Sequence, residues 1–210
     1  MEDKLKNIVV VFDLHGVVFS SSWRQIIILL WRCPHKIRGF VLLFNPFLMY
    51  TMLAGIYKKY VIEQLIETLV EKHPSFVPIK ETAIAVANAQ KVNKKTLKIL
   101  CDLHVQQVKL IAFSNIGERS IMVLRERHPE IFELFSQVIH TSAHDNYVAK
   151  PSRQAFDKLL VHVNPAEETV IFVDDTRKNL DRACELGLLS VPFLKPRVLE
   201  IMLKNLKILN

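Results

Sequence analysis

Cysteine and glycine are both scarce in this sequence of 210 residues. The three cysteines, Cys33, Cys101 and Cys184, are far apart and odd in number, so neither a disulfide framework nor a CxxC zinc site is available. The five glycines exclude collagen-like and glycine-rich linker classes. The first residues also lack the basic, apolar and small-residue regions of a signal peptide. These absences indicate a reducing compartment, and we expect a cytoplasmic protein.

Basic residues outnumber acidic residues in this sequence. Lysine and arginine total 28 and aspartate and glutamate total 21, which gives a net charge of +7. Such a surface favours anionic partners, including phosphate esters, nucleic acids and acidic lipid headgroups. The basic residues are scattered and form no stripe interleaved with aromatic residues, so we expect no nucleic-acid partner.

Short, continuously apolar runs predict strands that are buried on both faces. The runs are Ile8–Phe12, Val108–Phe113, Val138–Ile139 with its neighbours, Val170–Val173 and a weaker Val191–Leu194. Helical patterns lie between them, at Lys94–Leu103, Glu118–His128, Pro151–Val161 and Asn179–Leu186. Because strand and helix alternate, the sequence predicts an α/β fold with a doubly wound, mainly parallel sheet.

Residues 20–90 interrupt this alternation and predict a hydrophobic, mostly helical insertion. Val61–Glu71 is amphipathic, and Gly39–Tyr57 contains no charged residue. A single membrane crossing would place the first two strands of one sheet on opposite sides of a bilayer, and Asn45-Pro46 breaks the run, so two short helices are expected. Two interpretations stay open: a buried cap, or an apolar surface at residues 39–57 that contacts a membrane or a protein.

Polar residues follow the strongest strands, at the edge of a parallel sheet where ligands bind. Asp13 and His15 follow the first, Ser114 and Asn115 the second, and Asp174-Asp175 the Val170–Val173 strand. Lys150, before Pro151, can supply a cation. Crowded carboxylates repel one another unless a cation neutralises them, and Mg²⁺ prefers oxygen ligands. The set predicts phosphoryl transfer.

Four motifs in this order resemble those of the haloacid dehalogenase superfamily: FDLHGVVF, FSN, Lys150-Pro151 and VDDTRKN. The resemblance implies a Rossmann-like catalytic core of residues 1–19 and 91–210, a helical cap of residues 20–90, bound Mg²⁺ and an aspartyl-phosphate intermediate. It implies that Asp13 is the nucleophile and a metal ligand, that Asp175 binds the metal directly and that Asp174 acts mainly through water. It further implies that Ser114, with Asn115 beside it, and Lys150 hold the phosphate.

The sequence departs from the family pattern at His15, where phosphatases of the family carry a second aspartate as acid and base. The backbone carbonyl of His15 can still bind the metal, and its imidazole can donate and accept a proton. A phenolate leaves more easily than an alkoxide, so we expect aryl phosphates, including phosphotyrosine in proteins, to be favoured. The alternative is a catalytically impaired module whose apolar insertion recruits a membrane or protein partner.

Overall fold

The computed structural model describes residues 7–33, 62–72 and 74–209. Its strands are β1 (Ile8–Phe12), β2 (Phe19–Ser21), β3 (Gln90–Val92), β4 (Lys109–Gly117), β5 (Gln137–Thr141), β6 (Thr169–Asp174) and β7 (Leu189–Pro192). Five of them form a parallel sheet in the order β5-β4-β1-β6-β7, with β1 at the centre. Val10 of β1 pairs with Leu110 on one side and with Ile171 on the other. The predicted parallel, doubly wound α/β fold is confirmed, and a strand overlaps each of the five predicted runs, although β7 begins and ends two residues before the predicted Val191–Leu194.

Helices connect and cover these strands. The α-helices are α1 (Trp23–Arg32), α2 (Ile62–Lys72), α3 (Lys80–Ala87), α4 (Lys94–Val105), α5 (Glu118–Arg127), α6 (Pro129–Phe132), α7 (Arg153–Leu160), α8 (Arg177–Glu185) and α9 (Pro196–Asn205), with 3₁₀ turns at Pro74–Ile79 and Ala143–Asp145. Helix α7 starts two residues after its predicted start because the Ser152 side chain caps it, accepting a hydrogen bond from the Ala155 N–H. Helix α8 starts two residues before its predicted start, directly after the loop that carries Asp174 and Asp175.

The sheet separates two apolar cores because successive side chains point to opposite faces. Val10 and Phe12 pack with Leu100 of α4 and Leu199 of α9 on one face. Val9 and Val11 pack on the other face with residues of α7 and α8, which include Phe156, Leu159, Leu180 and Ala183. Burial on both faces explains why the strands read as unbroken apolar runs. The two cores hold β1 and β6 firmly, and the candidate site lies at their carboxyl ends.

A second, two-stranded sheet marks the two ends of the insertion. Strands β2 and β3 pair antiparallel, and the Ser22 N–H donates to the Ala89 carbonyl at 2.7 Å. Between them, Ile66 and Leu69 of α2 bury against Phe76 in a small separate cluster. Strands β2 and β3 were not expected from the sequence, because strands of three residues carry too few side chains to show a period.

The predicted pair of helices in Gly39–Tyr57 lies outside the described residues, and the division into a core and a cap stays a prediction. Within residues 7–33, 62–72 and 74–209, no helix combines the length and hydropathy of a membrane span.

Candidate active site

Three carboxylates converge at the carboxyl edge of the sheet. Asp13 directly follows β1, Asp174 ends β6 and Asp175 comes next. One oxygen from each lies within 4.8 Å of one from each of the others. Asp13 and Asp174 are buried and Asp175 is exposed, so the cluster opens to solvent on one side. The parallel pairing of β1 with β6 produces this convergence, since it brings both strand ends to one place.

A buried lysine lies among these carboxylates. The Lys150 ammonium donates to Asp174 Oδ2 at 2.7 Å and to the Phe113 carbonyl at 2.7 Å, and lies 3.1 Å from Asp13 Oδ1. The Phe113 and Phe172 rings flank it, with centroids 5.0 and 5.3 Å from the ammonium nitrogen. All three N–H donors are directed at protein oxygens. Two buried carboxylates and one ammonium leave one uncompensated negative charge in the interior.

Burial, together with the neighbouring charges, shifts the pKa of Asp13. Burial raises the pKa of its carboxyl from the ordinary 3.8 to about 6, because a desolvated carboxylate is disfavoured relative to its neutral form. The Lys150 ammonium opposes the rise in pKa, and the Asp174 carboxylate adds to it. The nearby Ser114 hydroxyl opposes it weakly, without reaching the geometry of a full hydrogen bond. A cation bound at the cluster would favour the carboxylate form and so oppose the rise in the pKa of Asp13.

Asp174 and Asp175 differ in the number of hydrogen bonds that their carboxylate oxygens already accept. Asp174 accepts from both Lys150 and the Thr176 N–H, and the Asn179 amide lies 3.1 Å from each of its oxygens. Asp175 accepts from the Thr176 hydroxyl at 3.2 Å and is otherwise open to solvent. Asp175 is therefore the better placed of the two for direct contact with a metal ion. The sequence leads to the same expectation, with Asp175 binding the metal directly and Asp174 acting mainly through water, and this stays a prediction.

The Ser114 hydroxyl is a buried polar group without a hydrogen-bond partner among the described residues. Leaving such a group unpaired costs roughly 1–3 kcal/mol. It lies in β4 beside Phe113, whose carbonyl holds Lys150, and close to Asp13. An oxygen of a bound phosphate would supply the missing partner. The predicted role of Ser114 in phosphate binding fits this observation.

The Asn115 side chain holds the backbone of Lys150. Its amide nitrogen donates to the Lys150 carbonyl at 3.0 Å, and its amide oxygen accepts from the Lys150 N–H at 2.7 Å. Because both ends of the amide are engaged, Asn115 fixes the loop from which Lys150 extends. A direct contact of this side chain with phosphate, as the sequence predicted, would require breaking one of these bonds.

His15 is exposed and lies beside a buried glutamine from the end of the insertion. Its Nδ1 is 3.3 Å from Oε1 of Gln90 in β3. An amide oxygen accepts hydrogen bonds and cannot donate them, so this contact places the proton on Nδ1 and leaves Nε2 as the second functional nitrogen. The contact gives His15 a fixed ring orientation, which an acid and base at this position requires.

Gly16 allows the turn after His15 to touch the acidic cluster. Its φ of +89° lies in the left-handed region. A Cβ added there would lie 2.2 Å from Asp175 Oδ2, closer than any van der Waals contact permits. The glycine is therefore required for the position of Asp175 as well as for the turn.

The donor set suits a hard divalent cation. Its members are carboxylate oxygens, and no thiolate of the described residues takes part. Asp13, Asp174, Asp175 and the His15 carbonyl are the groups that would hold Mg²⁺. This fit rests on the chemistry of the donors and on the uncompensated buried charge.

Known structures share this architecture. A haloacid dehalogenase family enzyme from Bacteroides thetaiotaomicron matches with a TM-score of 0.64 at 18% identity, over 88% of this chain and 92% of its own. The L-2-haloacid dehalogenase from Xanthobacter autotrophicus, with chloropropionic acid covalently bound, matches with a TM-score of 0.58 at 19% identity, over 96% and 84%. The chain has the haloacid dehalogenase fold. The Bacteroides enzyme in complex with magnesium and inorganic phosphate matches with a TM-score of 0.58 at 17% identity, over 88% and 93%.

No family model matches the chain, and no curated protein does. At these identities the structural matches establish the haloacid dehalogenase fold and leave the chemistry to the residues of the site.

Sequence reasoning missed two residues of this site. Gln90 lies 75 positions from His15 along the chain, and no sequence motif predicts the contact between them. The close approach of Gly16 to Asp175 was also missed, although a glycine directly after a strand-end motif is a signal of tight backbone geometry.

Proposed function

We propose that this chain is a Mg²⁺-dependent phosphatase that hydrolyses phosphate monoesters through an aspartyl-phosphate on Asp13. The observation that carries the proposal is the convergence of Asp13, Asp174 and Asp175 around the Lys150 ammonium. The Bacteroides enzyme of the same fold, in complex with magnesium and inorganic phosphate, supports it.

The reaction proceeds in two steps. A carboxylate oxygen of Asp13 attacks phosphorus, the bond to the ester oxygen breaks, and the departing oxygen takes a proton from His15. Water then attacks the phosphorus of the aspartyl-phosphate, gives its proton to His15, and releases inorganic phosphate and the free carboxylate. Bound Mg²⁺ supplies the positive charge that lets an anionic substrate approach this acidic cluster.

The other groups position the substrate. The Ser114 hydroxyl, which has no hydrogen-bond partner among the described residues, donates to a phosphoryl oxygen. Asn115 holds the backbone of Lys150 in place, and the Lys150 ammonium gives up one of its three contacts with protein oxygens to donate to the same phosphoryl oxygen. These contacts are strongest when negative charge builds up on the equatorial oxygens, so they stabilise the transition state more than the bound ester.

The imidazole of His15 influences which class of phosphate ester would be the better substrate. Its imidazole replaces the carboxylic acid that the family's phosphatases use, and its Nδ1 lies 3.3 Å from the amide oxygen of Gln90. An alkoxide leaving group needs strong acid assistance, whereas a phenol has a pKa of about 10 and leaves with less. Aryl phosphates, including phosphotyrosine in proteins, are therefore the favoured substrates.

Dehalogenation is less favoured by the site, although dehalogenases share the fold. Displacement of a halide by a carboxylate releases one small anion and needs no divalent cation. Three carboxylates against one lysine would repel a haloacid anion unless a cation is bound. The cluster thus supports phosphoryl transfer better.

A release assay for inorganic phosphate tests the proposal. The wild-type chain should hydrolyse phenyl phosphate and phosphotyrosine peptides with Mg²⁺ and not with a chelator, and it should turn over glycerol phosphate more slowly. Asp13→Asn should lose turnover, while Asp157→Asn, at an exposed carboxylate on α7, should keep it. Equal or reversed aryl preference would contradict the role given to His15. Absence of any Mg²⁺-dependent release would instead favour an impaired module that binds a membrane or protein partner through the insertion.

A further inference from the structure

Three helices begin beside the candidate active site. Helix α8 starts two residues after Asp175. Helix α9 starts three residues after Phe193, whose N–H donates to the Asp174 carbonyl at 2.9 Å. Helix α4 starts directly after Asn93, whose N–H donates at 2.8 Å to the carbonyl of Val18, in the turn that follows β1. The first turns of α4, α8 and α9 therefore flank the acidic cluster at the carboxyl edge of the sheet.

The segments at these three helix starts carry basic side chains and no acidic ones. Residues 91–97, 176–180 and 193–199 contain no aspartate or glutamate. Their basic side chains are all exposed, and together they are called the basic rim: Lys91, Lys94, Lys95, Arg177, Lys178, Lys195 and Arg197. These residues are far apart in the sequence, and they meet at one edge because the fold brings the three helix starts there.

The charges of the basic rim are unfavourable for the helices that carry them. The start of a helix has a partial positive charge, so acidic side chains stabilise the first turn and basic side chains destabilise it. The first turns of α4, α8 and α9 contain no acidic residue, whereas those of α3 and α5 contain Glu81 and Glu118. A charge placement that weakens three helices beside the site favours an explanation in function over one in stability.

Most of the charge on the basic rim has no partner of opposite sign. Arg177 pairs with Asp181 at 2.8 Å. The other cations of the rim form no ion pair in the part of the chain that the structure describes. Residues 34–61, which lie outside that part, contain no aspartate or glutamate, so they supply no acidic partner either. The rim therefore presents positive charge to solvent, and such a surface attracts anionic ligands.

We propose that the basic rim binds acidic peptide segments on either side of the phosphorylated residue of a protein substrate. The Ser114 hydroxyl, which is 1% exposed and has no hydrogen-bond partner among the described residues, independently indicates an anion at this edge of the sheet. A peptide fits better than a nucleic acid, because Phe193 is the one aromatic residue in the three rim segments and is buried, so no base can stack on it. The inference deepens the proposed function and rests on it only for the reaction at the phosphate.

Binding of unphosphorylated peptides tests the basic rim without any turnover. A labelled tyrosine peptide flanked by glutamates should bind the full chain in about 0.1 M salt, and its glutamine counterpart should bind about tenfold or more weakly, as measured by fluorescence anisotropy. Salt at about 1 M should remove the difference, because it shortens the screening length to about 3 Å. A single-stranded oligonucleotide of the same charge should bind more weakly than the glutamate peptide.

Substitutions in the basic rim locate the binding surface. Lys95→Gln, Lys178→Gln and Arg197→Gln should each lower affinity for the glutamate peptide about two- to fivefold, as expected for single exposed ion pairs. Lys207→Gln is the matched control: Lys207 is also exposed, but it follows the far end of α9, a helix about 15 Å long, and its loss should leave affinity unchanged. Thermal unfolding checks the fold, and the rim variants should melt no lower than the wild type because each removes a cation from the start of a helix.

Three binding results would overturn the proposal: equal affinity for the glutamate and glutamine peptides, equal losses in the rim variants and in Lys207→Gln, or tighter binding of the oligonucleotide, which would assign the rim to a nucleic acid. In the phosphate-release assay, the glutamate-flanked phosphotyrosine peptide should have the higher kcat/KM. Binding as expected without any turnover would reject the proposed function and support the rim, whereas turnover with equal kcat/KM for the two peptides would reject the rim and support the proposed function.

Discussion

Replacing Asp13 with asparagine should stabilise the protein in the absence of divalent cations. Asparagine keeps the size of the side chain and removes the negative charge that Lys150 does not compensate. The remaining ammonium then pairs with Asp174 alone, and the interior becomes electrically neutral. Stabilisation by loss of a catalytic group is expected where function requires an unfavourable local arrangement.

The expected increase in the free energy of unfolding follows from the shifted pKa of Asp13. The folded protein raises this pKa from 3.8 to about 6, so it binds the proton more tightly than the unfolded chain does. Well below pH 3.8 the carboxyl is neutral in both states and does not affect the free energy of unfolding. As pH rises from about 4 to 6 the unfolded chain loses its proton first, and the free energy of unfolding falls. Above pH 6 the loss is complete, and two pKa units correspond to about 3 kcal/mol.

Denaturant unfolding of both proteins in chelator, across pH 4 to 8, measures this difference. The free energy of unfolding of Asp13→Asn should exceed that of the wild type by up to about 3 kcal/mol near pH 7.5, and the gap should shrink to less than about 1 kcal/mol near pH 4. Adding Mg²⁺ should stabilise the wild type more than the variant and narrow the gap. Asp157→Asn, at a half-exposed carboxylate paired with Arg153, should change stability by less than about 1 kcal/mol.

If Asp13→Asn is no more stable than the wild type near neutral pH without metal, the buried charge of Asp13 does not destabilise the fold and the prediction is refuted. It is equally refuted if the gap does not depend on pH, since a constant gap would come from packing and not from a buried charge.

Two further substitutions test the geometry of the site. Gly16→Ala should lower Mg²⁺ affinity about tenfold or more by calorimetry, because a Cβ 2.2 Å from Asp175 Oδ2 displaces that carboxylate. Gly187→Ala has a similar positive φ and open space around it, so it should cost stability alone; equal losses of Mg²⁺ affinity would contradict the clash. Gln90→Leu should reduce kcat on phenyl phosphate about tenfold with KM unchanged, because the His15 ring loses its hydrogen-bond acceptor. Gln90→Glu keeps an acceptor and should retain most of kcat, and the same loss in both variants would reject the positioning role.

The sequence was informative wherever one physical rule dominated. Strands buried on both faces must be apolar throughout, so Ile8–Phe12 and its partners were visible as runs. The carboxyl ends of parallel strands share an edge, so the convergence of Asp13 with Asp174 followed from strand assignment alone. Neither inference needed knowledge of a side-chain rotamer or of a loop.

Other features depended on contacts between distant residues that no local pattern encodes. Gln90 meets His15 because β3 pairs with β2, and strands of three residues have no readable period. Asn115 looked like a phosphate ligand beside Ser114, yet its amide binds the Lys150 backbone. An amide can donate and accept equally well, so its partner is decided by which polar group lies opposite in the fold.

The energetically unfavourable features of this structure lie together at the candidate active site. Asp13 is buried with its pKa raised, the Ser114 hydroxyl has no hydrogen-bond partner in the described part of the chain, and Gly16 takes a backbone conformation that other residues rarely adopt, all at one edge of the sheet. Each of these features weakens the fold, and the two apolar cores that hold β1 and β6 offset them. A bound cation with phosphate would relieve the first two at once, since it would neutralise the charge and pair the hydroxyl. The same unfavourable groups that make the site costly when empty therefore favour binding of a metal ion together with an anionic ligand.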